Sequence, residues 1–195
     1  MGVILRVNAL PAGNKAAVVT VASREAVPQF KCWVEAFPGG ASKFSVKLDA
    51  STGMYVTLGN NMTNDAVTAP PTCASAVSVE RTSHNSSLPC CGFIESCPTT
   101  PPACHWCHAV ARNVLVLSVS KDLCEGWRIL TVVLADDPGL PSFLSELLTG
   151  FQYVDWLFDG DDIVYAVRAA YRGGNQYHNS NRILFGRILG WRALL

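Results

Sequence analysis

The amino-acid sequence predicts an all-β protein. Outside residues 65–111, short apolar or alternating runs rich in Val, Ile, Phe, Tyr and Trp are separated by Gly, Pro, Asn and Asp, and helical periodicity is almost absent. These runs predict ten strands: Val3–Asn8, Lys15–Ser23, Phe30–Phe37, Ser42–Asp49, Met54–Asn60, Asn113–Ser120, Trp127–Leu134, Gln152–Phe158, Ile163–Ala170 and Arg182–Ile188. The one predicted helix, Ser142–Leu148, is short. The spacing of the strands is typical of consecutive antiparallel hairpins.

The composition predicts a chain that buries a core, and its charge balance gives no indication of a nucleic-acid partner. Of 195 residues, 49% are hydrophobic and 15% are charged, and fifteen basic side chains balance fifteen acidic ones. No apolar run reaches the roughly 18 residues that a membrane-spanning helix needs. The N-terminus does not match a signal peptide, because Arg6 and Asn8 interrupt its apolar stretch, and we expect Met1 to lie inside a strand of a longer protein.

Two turns repeat one pattern. Ser120–Trp127 has Ser, Asp and Trp at offsets 0, 2 and 7, and Ser23–Phe30 has Ser, Glu and Phe at the same offsets. The spacing follows the Asp box, Ser-x-Asp-x-Gly-x-x-Trp, although Cys124 and Val27 stand where Gly is expected. In such a turn the carboxylate holds backbone N–H groups, and the aromatic ring packs between neighbouring sheets. Two copies, each between predicted strands, indicate a repeated unit.

With these turns, longer segments of the chain resemble the sialidase-like proteins of the exo-α-sialidase, or neuraminidase, superfamily. The matching segments are Ile4–Asn8, Gly13–Ala17, Phe37–Gly40, Ser42–Phe44, Arg112–Leu115, Gly150–Asp162, Ala170–Tyr171 and His178–Asn181. The resemblance covers residues 3–64 and 112–188. It implies a partial sialidase-type β-propeller, the C-terminal fragment of a longer parent, with about two and a half to three four-stranded antiparallel blades and an irregular Cys-rich insertion.

The strands can be assigned to blades if the Asp-box turn joins the third and fourth strand of each. The first blade then has three strands, the second is complete from Ser42 to Leu134, and the third again has three. The segments are residues 1–64 (first blade and half of the second), 65–111 (insertion), 112–188 (the remainder) and 189–195, a tail that we expect to be a sticky extension. Exposed blade edges predict pairing with a partner.

The same assignment collects the polar side chains that can bind a sugar acid on one face. By resemblance to the sialidases, an arginine cluster binds the substrate carboxylate and a tyrosine is the nucleophile. The candidate catalytic residues are Arg168, Tyr171, Asp155 and Tyr153, and the candidate substrate-binding residues are Arg6, Lys15, Lys43, Arg112, Gln152 and His178. The alternative interpretation is structural: Arg168 pairs with Asp155 across two strands, and Tyr153 packs in a wall.

Residues 65–111 differ in kind from the rest of the chain. They are rich in Pro, Ser and Thr and contain six of the eight cysteines, with only Cys32 and Cys124 elsewhere. Cys104–His108 matches the haem-attachment pattern Cys-x-x-Cys-His, and a zinc knuckle is a further alternative, but no other ligand supports either. We therefore expect a disordered loop or translated intron sequence, and no metal or cofactor.

Three functions remain open from the sequence. The first is sialidase-like hydrolysis of a terminal sialic acid or related acidic sugar by the intact parent. The second is a non-catalytic propeller that binds glycans or assembles with partners, and the third is a truncated or mispredicted product without activity. The expected ligand is a sialoside-like glycan, with no nucleic acid and no membrane as partner. Secretion is expected from the resemblance alone, and the sequons at Asn61 and Asn85 matter only in that case.

Overall fold

The computed structural model describes residues 2–7, 14–40, 42–61, 111–136, 145–146, 148–172, 174 and 177–195. These residues form ten strands and a C-terminal 3₁₀ helix. The strands are β1 (Gly2–Arg6), β2 (Ala16–Thr20), β3 (Gln29–Val34), β4 (Ser45–Asp49), β5 (Met54–Asn60), β6 (Val114–Ser120), β7 (Arg128–Ala135), β8 (Gly150–Asp159), β9 (Asp162–Ala170) and β10 (Arg182–Ile188), and the 3₁₀ helix is Trp191–Leu194. Each predicted strand is present, with ends that differ by a few residues.

The strands form three antiparallel sheets. The first sheet has the order β1-β2-β3, the second β4-β5-β6-β7 and the third β8-β9-β10. The grouping into three, four and three strands agrees with the assignment made from the turn pattern. The all-β prediction is therefore confirmed.

The second and third sheets share a hydrophobic core. Because side chains alternate along a strand, Val56 and Leu58 of β5 lie on one face, together with Val119 of β6. Trp156 of β8 and Ile163 of β9 pack against that face, and all five side chains are buried. The face of the third sheet that carries Ile163 is therefore fixed against the second sheet.

The first and second sheets share a separate core and a disulfide bond. Val18 of β2 and Val34 of β3 are buried in a cluster that also contains Phe37. Cys32 of β3 is bonded to Cys124, which lies in the turn between β6 and β7, and their Cα atoms are 5.9 Å apart. The bond covalently joins the two sheets.

The turn between β6 and β7 has the local contacts expected from its sequence. The backbone N–H of Cys124 donates to the carboxylate of Asp122 at 2.7 Å, and the indole N–H of Trp127 donates to the carbonyl of Leu123 at 3.1 Å. The Trp127 ring packs edge-on against the ring of Phe37, which follows β3, at 4.9 Å between centroids. Its aromatic ring therefore lies between two sheets.

In the other turn of the same pattern, the corresponding ring is not covered. Phe30 is 57% exposed and packs only on Trp33 among the aromatic rings of the described residues, at 5.2 Å between centroids. Trp127 is covered because it lies between the first and second sheets. Phe30 lies on the other side of the first sheet, where the described part of the chain has no neighbouring sheet.

The C-terminal segment differs from the extension expected for residues 189–195. Trp191 is fully buried in the core between the second and third sheets, and its ring stacks on Phe158 at 5.6 Å between centroids. The next residue, Arg192, donates to both carboxylate oxygens of Asp49 at 3.1 and 2.7 Å and forms an ion pair with Asp161 at 2.9 Å. The segment thus connects the turn of the second sheet to the turn of the third.

Asp49 makes the stability of the fold depend on pH in the acid range. The Arg192 guanidinium, together with the hydroxyls of Thr52 and Ser51, holds the pKa of Asp49 far below its ordinary value of 3.8. A carboxylate with a depressed pKa in the folded state stabilises the fold above its ordinary pKa, and this contribution is lost as the pH falls toward the lower, folded-state pKa. We expect the wild type to lose more stability than an Asp49→Asn variant between about pH 5 and pH 2, measured by urea denaturation. Parallel pH profiles of the two proteins would contradict this role of Asp49.

Two predicted segments lie largely or wholly outside the described residues. Of the predicted helix Ser142–Leu148, residues 145, 146 and 148 are described and are helical, and the N–H of Thr149 donates to the carbonyl of Ser145 at 2.9 Å. All of the insertion except Ala111 lies outside the described residues. The haem and zinc alternatives and the expected disorder concern these residues and stay predictions.

Candidate functional site

The candidate site lies where the second and third sheets meet, at the end of β5 and the beginning of β8. The side-chain amide of Asn60 donates to the carbonyl of Arg112 at 3.2 Å and to that of Phe151 at 2.8 Å. The N–H of Phe151 in turn donates to the carbonyl of Arg112 at 2.8 Å. These bonds hold the Arg112 backbone against the first residues of β8.

Tyr153 occupies a strained position in β8. The register between β8 and β9 shifts between Gln152 and Asp155, and Tyr153 has a φ of 53° within this bulge. Left-handed backbone is unfavourable for a bulky residue and persists only where surrounding contacts impose it, often at functional sites. Tyr153 is 38% exposed, so part of its side chain is accessible from solvent.

Two cations and a histidine surround the Tyr153 side chain. The ammonium of Lys43 lies 4.5 Å from the ring centroid and the guanidinium of Arg168 lies 4.8 Å from it, both within cation–π distance. The hydroxyl oxygen of Tyr153 is 3.4 Å from Nε2 of His178. We call Lys43, Tyr153, Arg168 and His178 the Tyr153 cluster.

His178 is held by Arg168 and favours the neutral form. Arg168 donates to the carbonyl of His178 at 2.6 Å, which positions the loop before β10 over β9. Desolvation of the imidazole and the charges of Arg112 and Arg168 lower the pKa of His178. A neutral imidazole has one unprotonated nitrogen, so His178 is able to accept a hydrogen bond from the Tyr153 hydroxyl.

Arg112 lies beside the Tyr153 cluster, where Gln152 holds it. Its Nη1 donates to the side-chain carbonyl of Gln152 at 2.6 Å, and Gln152, which is 2% exposed, donates to the carbonyl of Tyr177. Burial lowers the pKa of Arg112, and the positive charge of Arg6 acts in the same direction. Gln152 therefore orients the guanidinium of Arg112.

The guanidinium groups of Arg112 and Arg168 have unused hydrogen-bonding capacity. The Nε atom of each is buried and has no hydrogen-bond partner among the described residues. Buried donors without partners are uncommon in folded proteins and are energetically unfavourable. Two guanidinium groups that each have a buried, unpaired Nε–H near the Tyr153 side chain favour an anionic ligand.

A pocket adjoins the Tyr153 cluster on the side of the first sheet. It has a volume of about 310 Å³ and is lined by Ile4, Arg6, Ser42, Lys43 and Phe44. Lys43 belongs to both the pocket and the Tyr153 cluster. The pocket combines two cations with two apolar side chains, which suits the charged and apolar parts of a small acidic ligand.

Three of the sequence-predicted residues have other surroundings. The ring of Tyr171 packs at 6.1 Å from that of Phe151 and lies near the guanidinium groups of Arg172 and Arg182, at 5.3 and 5.6 Å. Lys15 is paired with Glu35 at 2.8 Å in the first sheet.

Asp155 is the third sequence-predicted residue whose side chain lies outside the Tyr153 cluster. It is exposed, and its carboxylate accepts a hydrogen bond from the next backbone N–H at 2.9 Å. The proposed pairing of Asp155 with Arg168 does not occur, since the structure has no ion pair between these two described residues. The structural alternative for that pair is therefore wrong.

Sequence reasoning missed Tyr177 and the disulfide bond. The Tyr177 ring lies 5.7 Å from the Arg112 guanidinium, and the residue precedes His178, which the sequence did single out. The signal for the disulfide was also present, because Cys32 and Cys124 are the two cysteines outside the insertion.

The described residues contain no group of three or more His, Cys, Asp or Glu side chains that is placed to bind a metal ion. No described carboxylate is hydrogen-bonded to Tyr153. Within the described ranges, no helix has the length and apolar character needed to cross a membrane. No family model, curated protein or solved structure gives a significant match to the chain.

Proposed function

We propose that the three sheets are consecutive blades of a sialidase-type β-propeller and that the Tyr153 cluster binds a sialic acid or related acidic sugar. The observation that carries the proposal is the arrangement of Lys43 and Arg168 around the exposed ring of Tyr153, with Arg112 beside them. Guanidinium groups bind carboxylates through paired, charge-assisted hydrogen bonds, and an aromatic ring supports the apolar face of a sugar.

The packing of the sheets supports the blade assignment. Consecutive sheets pack face to face through alternating apolar side chains, and Trp127 of the second sheet packs toward the first. The polar candidates Arg6, Arg112 and Arg168 come one from each of the three units and all lie at the same end of the strands. A repeated sheet unit with its polar loops at one end is the arrangement of a propeller ligand face.

Hydrolysis of the sugar is the first form of this function. Sialidases use a tyrosine nucleophile in place of a carboxylate, and Tyr153 is the better candidate than Tyr171. Its hydroxyl oxygen lies 3.4 Å from Nε2 of His178, whose neutral imidazole is able to take the hydroxyl proton as the oxygen attacks the anomeric carbon. The glycosidic bond breaks in the same step, its electron pair leaves with the aglycone oxygen, and that oxygen takes a proton from water. A water molecule then hydrolyses the bond between sugar and tyrosine and restores the tyrosine. In this form the chain belongs to a sialidase-like exo-glycosidase, a glycoside hydrolase.

Binding without hydrolysis is the second form, and one observation favours it. Proton transfer to the leaving group needs an acid, and among the described residues no carboxylate is hydrogen-bonded to the Tyr153 cluster. The exposed Asp155 is directed to its own backbone instead. The chain would then retain the cations that bind the sugar acid and act as a glycan-binding propeller.

An Arg168→Gln variant tests the binding proposal. We expect its affinity for a sialoside such as sialyllactose to fall by about 10- to 100-fold, because a charge-assisted hydrogen bond contributes about 1.5–3 kcal/mol. The matched control is Arg187→Gln, which removes the same group from β10, where Arg187 pairs with Asp159 and Asp162. Isothermal titration calorimetry measures the affinity of the wild type and of both variants for the sialoside. Equal affinities of the two variants, or a wild type that does not bind the sialoside, would contradict the proposal.

A Tyr153→Phe variant separates hydrolysis from binding. The change keeps the ring under Lys43 and Arg168 and removes only the hydroxyl. For an exo-glycosidase we expect sialoside binding within a few-fold of the wild type and loss of turnover of a fluorogenic sialoside. A wild type that binds the sialoside without releasing product identifies the glycan-binding form.

A further inference from the structure

Four cations without a carboxylate partner collect around the Tyr153 cluster. They are Lys43 and Arg168 of the cluster, Arg112 beside it, and Arg6 at the end of β1. None of the four forms an ion pair with a described carboxylate. The chain as a whole has no net charge, since fifteen basic side chains balance fifteen acidic ones. The positive charge at this end of the sheets is therefore local.

The pKa values of two groups at this end reflect the same local charge. Burial lowers the pKa of Arg112, and the positive charge of Arg6 acts in the same direction. Desolvation and the charges of Arg112 and Arg168 lower the pKa of His178. No described carboxylate contributes to either shift, so the cations act on one another without a counter-charge between them.

Two carboxylates in neighbouring segments are engaged elsewhere. Asp155 in β8 accepts a hydrogen bond from the N–H of Trp156 at 2.9 Å, and Glu35, which follows β3, is paired with Lys15 at 2.8 Å. Like charges that are held close together repel one another, and a bound anion relieves that repulsion. A ligand with more negative charge than one carboxylate relieves more of it.

Arg6 and Lys43 form a second group of cations, in the pocket that adjoins the Tyr153 cluster. The N–H of the residue after Arg6 donates to the carbonyl of Gly40 at 3.1 Å, which holds the end of β1 against the segment that leads to Lys43. The pocket of about 310 Å³ also has two apolar lining residues, Ile4 and Phe44. It therefore provides two cations for an acidic group and an apolar surface for the sugar ring that carries it.

The two groups of cations are close enough for one ligand to contact both. The Nζ atom of Lys43 lies 4.5 Å from the ring centroid of Tyr153, and the guanidinium of Arg168 lies 4.8 Å from the same centroid. The two cations are therefore no farther apart than the sum of these distances. Acidic groups on adjacent units of one oligosaccharide can span such a separation.

We propose that the ligand of this site is a glycan with two acidic groups, the first bound by Arg112 and Arg168 beside the Tyr153 ring and the second by Arg6 and Lys43 in the pocket. The inference rests on the proposed function and narrows its ligand from an acidic sugar to a doubly acidic one. The second group is a carboxylate or a sulfate, because both present the charged oxygen atoms that guanidinium and ammonium groups bind.

Three ligands test the inference with the wild-type chain. Sialyllactose has one carboxylate, disialyllactose has two, and sialyllactose with a sulfate on its galactose has a carboxylate and a sulfate. By isothermal titration calorimetry, we expect at least one doubly acidic ligand to bind about 10-fold more tightly than sialyllactose, because its second group forms charge-assisted contacts. The difference should shrink as the salt concentration rises. The ligand with the higher affinity identifies the second group as carboxylate or sulfate.

An Arg6→Gln variant tests whether the pocket binds the second group. Arg6 is exposed, so its replacement leaves the core intact. We expect the 10-fold preference for the doubly acidic ligand to fall to about 2-fold or less. Arg24→Gln is the matched control, since Arg24 is an exposed arginine of the same sheet in the turn between β2 and β3, at the opposite end of the strands. It should keep the wild-type preference.

Two results would overturn the inference and leave the proposed function standing. One is equal affinity of the wild type for sialyllactose and both doubly acidic ligands. The other is a preference for two acidic groups that Arg6→Gln and Arg24→Gln retain to the same extent, because the pocket then does not bind the second group. If the wild type binds none of the three ligands, the proposed function fails and the inference fails with it.

Discussion

Replacing Trp191 by alanine is expected to lower the free energy of unfolding by about 3–5 kcal/mol, the range for removing a large aromatic side chain from a core. Trp191 is fully buried and stacks on Phe158 at 5.6 Å between ring centroids. It fills the space between β5 and β6 of the second sheet and β8 and β9 of the third. Its removal leaves a cavity at the contact of two sheets, which the rigid strands around it are poorly able to close.

Leu189→Ala is the matched control for this prediction. Leu189 lies two residues before Trp191 and is 73% exposed, so we expect its removal to change the free energy of unfolding by less than about 0.5 kcal/mol. Urea denaturation of the two variants and the wild type measures both effects. Equal stabilities of the Trp191→Ala and Leu189→Ala variants would show that the C-terminal segment does not contribute to the core.

Removing the disulfide bond is expected to cost about 2–5 kcal/mol. Cys32 and Cys124 are separated by 92 residues, so the bond closes a long loop and restricts the unfolded chain considerably. It also joins β3 to the turn of the second sheet, where the core around Val18 and Phe37 is small. A double Cys32→Ala, Cys124→Ala variant removes the bond without leaving a free thiol at either position.

Reduction of the disulfide provides the control. Dithiothreitol should lower the urea midpoint of the wild type by more than that of the double variant, because the variant has already lost this bond. The comparison cancels any effect of reductant on the other six cysteines, which lie outside the described residues. If the double variant has the same urea midpoint as the oxidised wild type, the disulfide bond does not stabilise the fold.

The strands could be predicted because their signal is local. A run such as Met54–Asn60 has β-branched and apolar residues between turn residues, and each turn is specified by a few neighbouring side chains. The repeated turn pattern then grouped the strands correctly into sheets of three, four and three. Strand ends were less certain: the predicted strand Lys15–Ser23 ends at Thr20, because the turn toward β3 begins soon after it.

The site could be predicted only in part. Counting strands placed Lys43, Tyr153, Arg168 and His178 on one face, and the structure brings these four together. The same counting also selected Lys15, which is paired with Glu35 in the first sheet, and Tyr171, whose ring packs on Phe151. Strand position defines the end of the sheet on which a residue lies, but the direction of its side chain depends on bulges and neighbours.

The sequence by itself determined the fold class, the ten strands and the end of the sheets at which the polar residues collect, because periodicity, β-propensity and turn chemistry act over a few residues. Only the tertiary structure decided that Tyr153 lies in a bulge between Lys43 and Arg168, that Cys32 pairs with Cys124, and that Trp191 belongs to the core. These features join residues that are far apart in the chain. They depend on how the sheets pack against each other, which no local pattern of residues encodes.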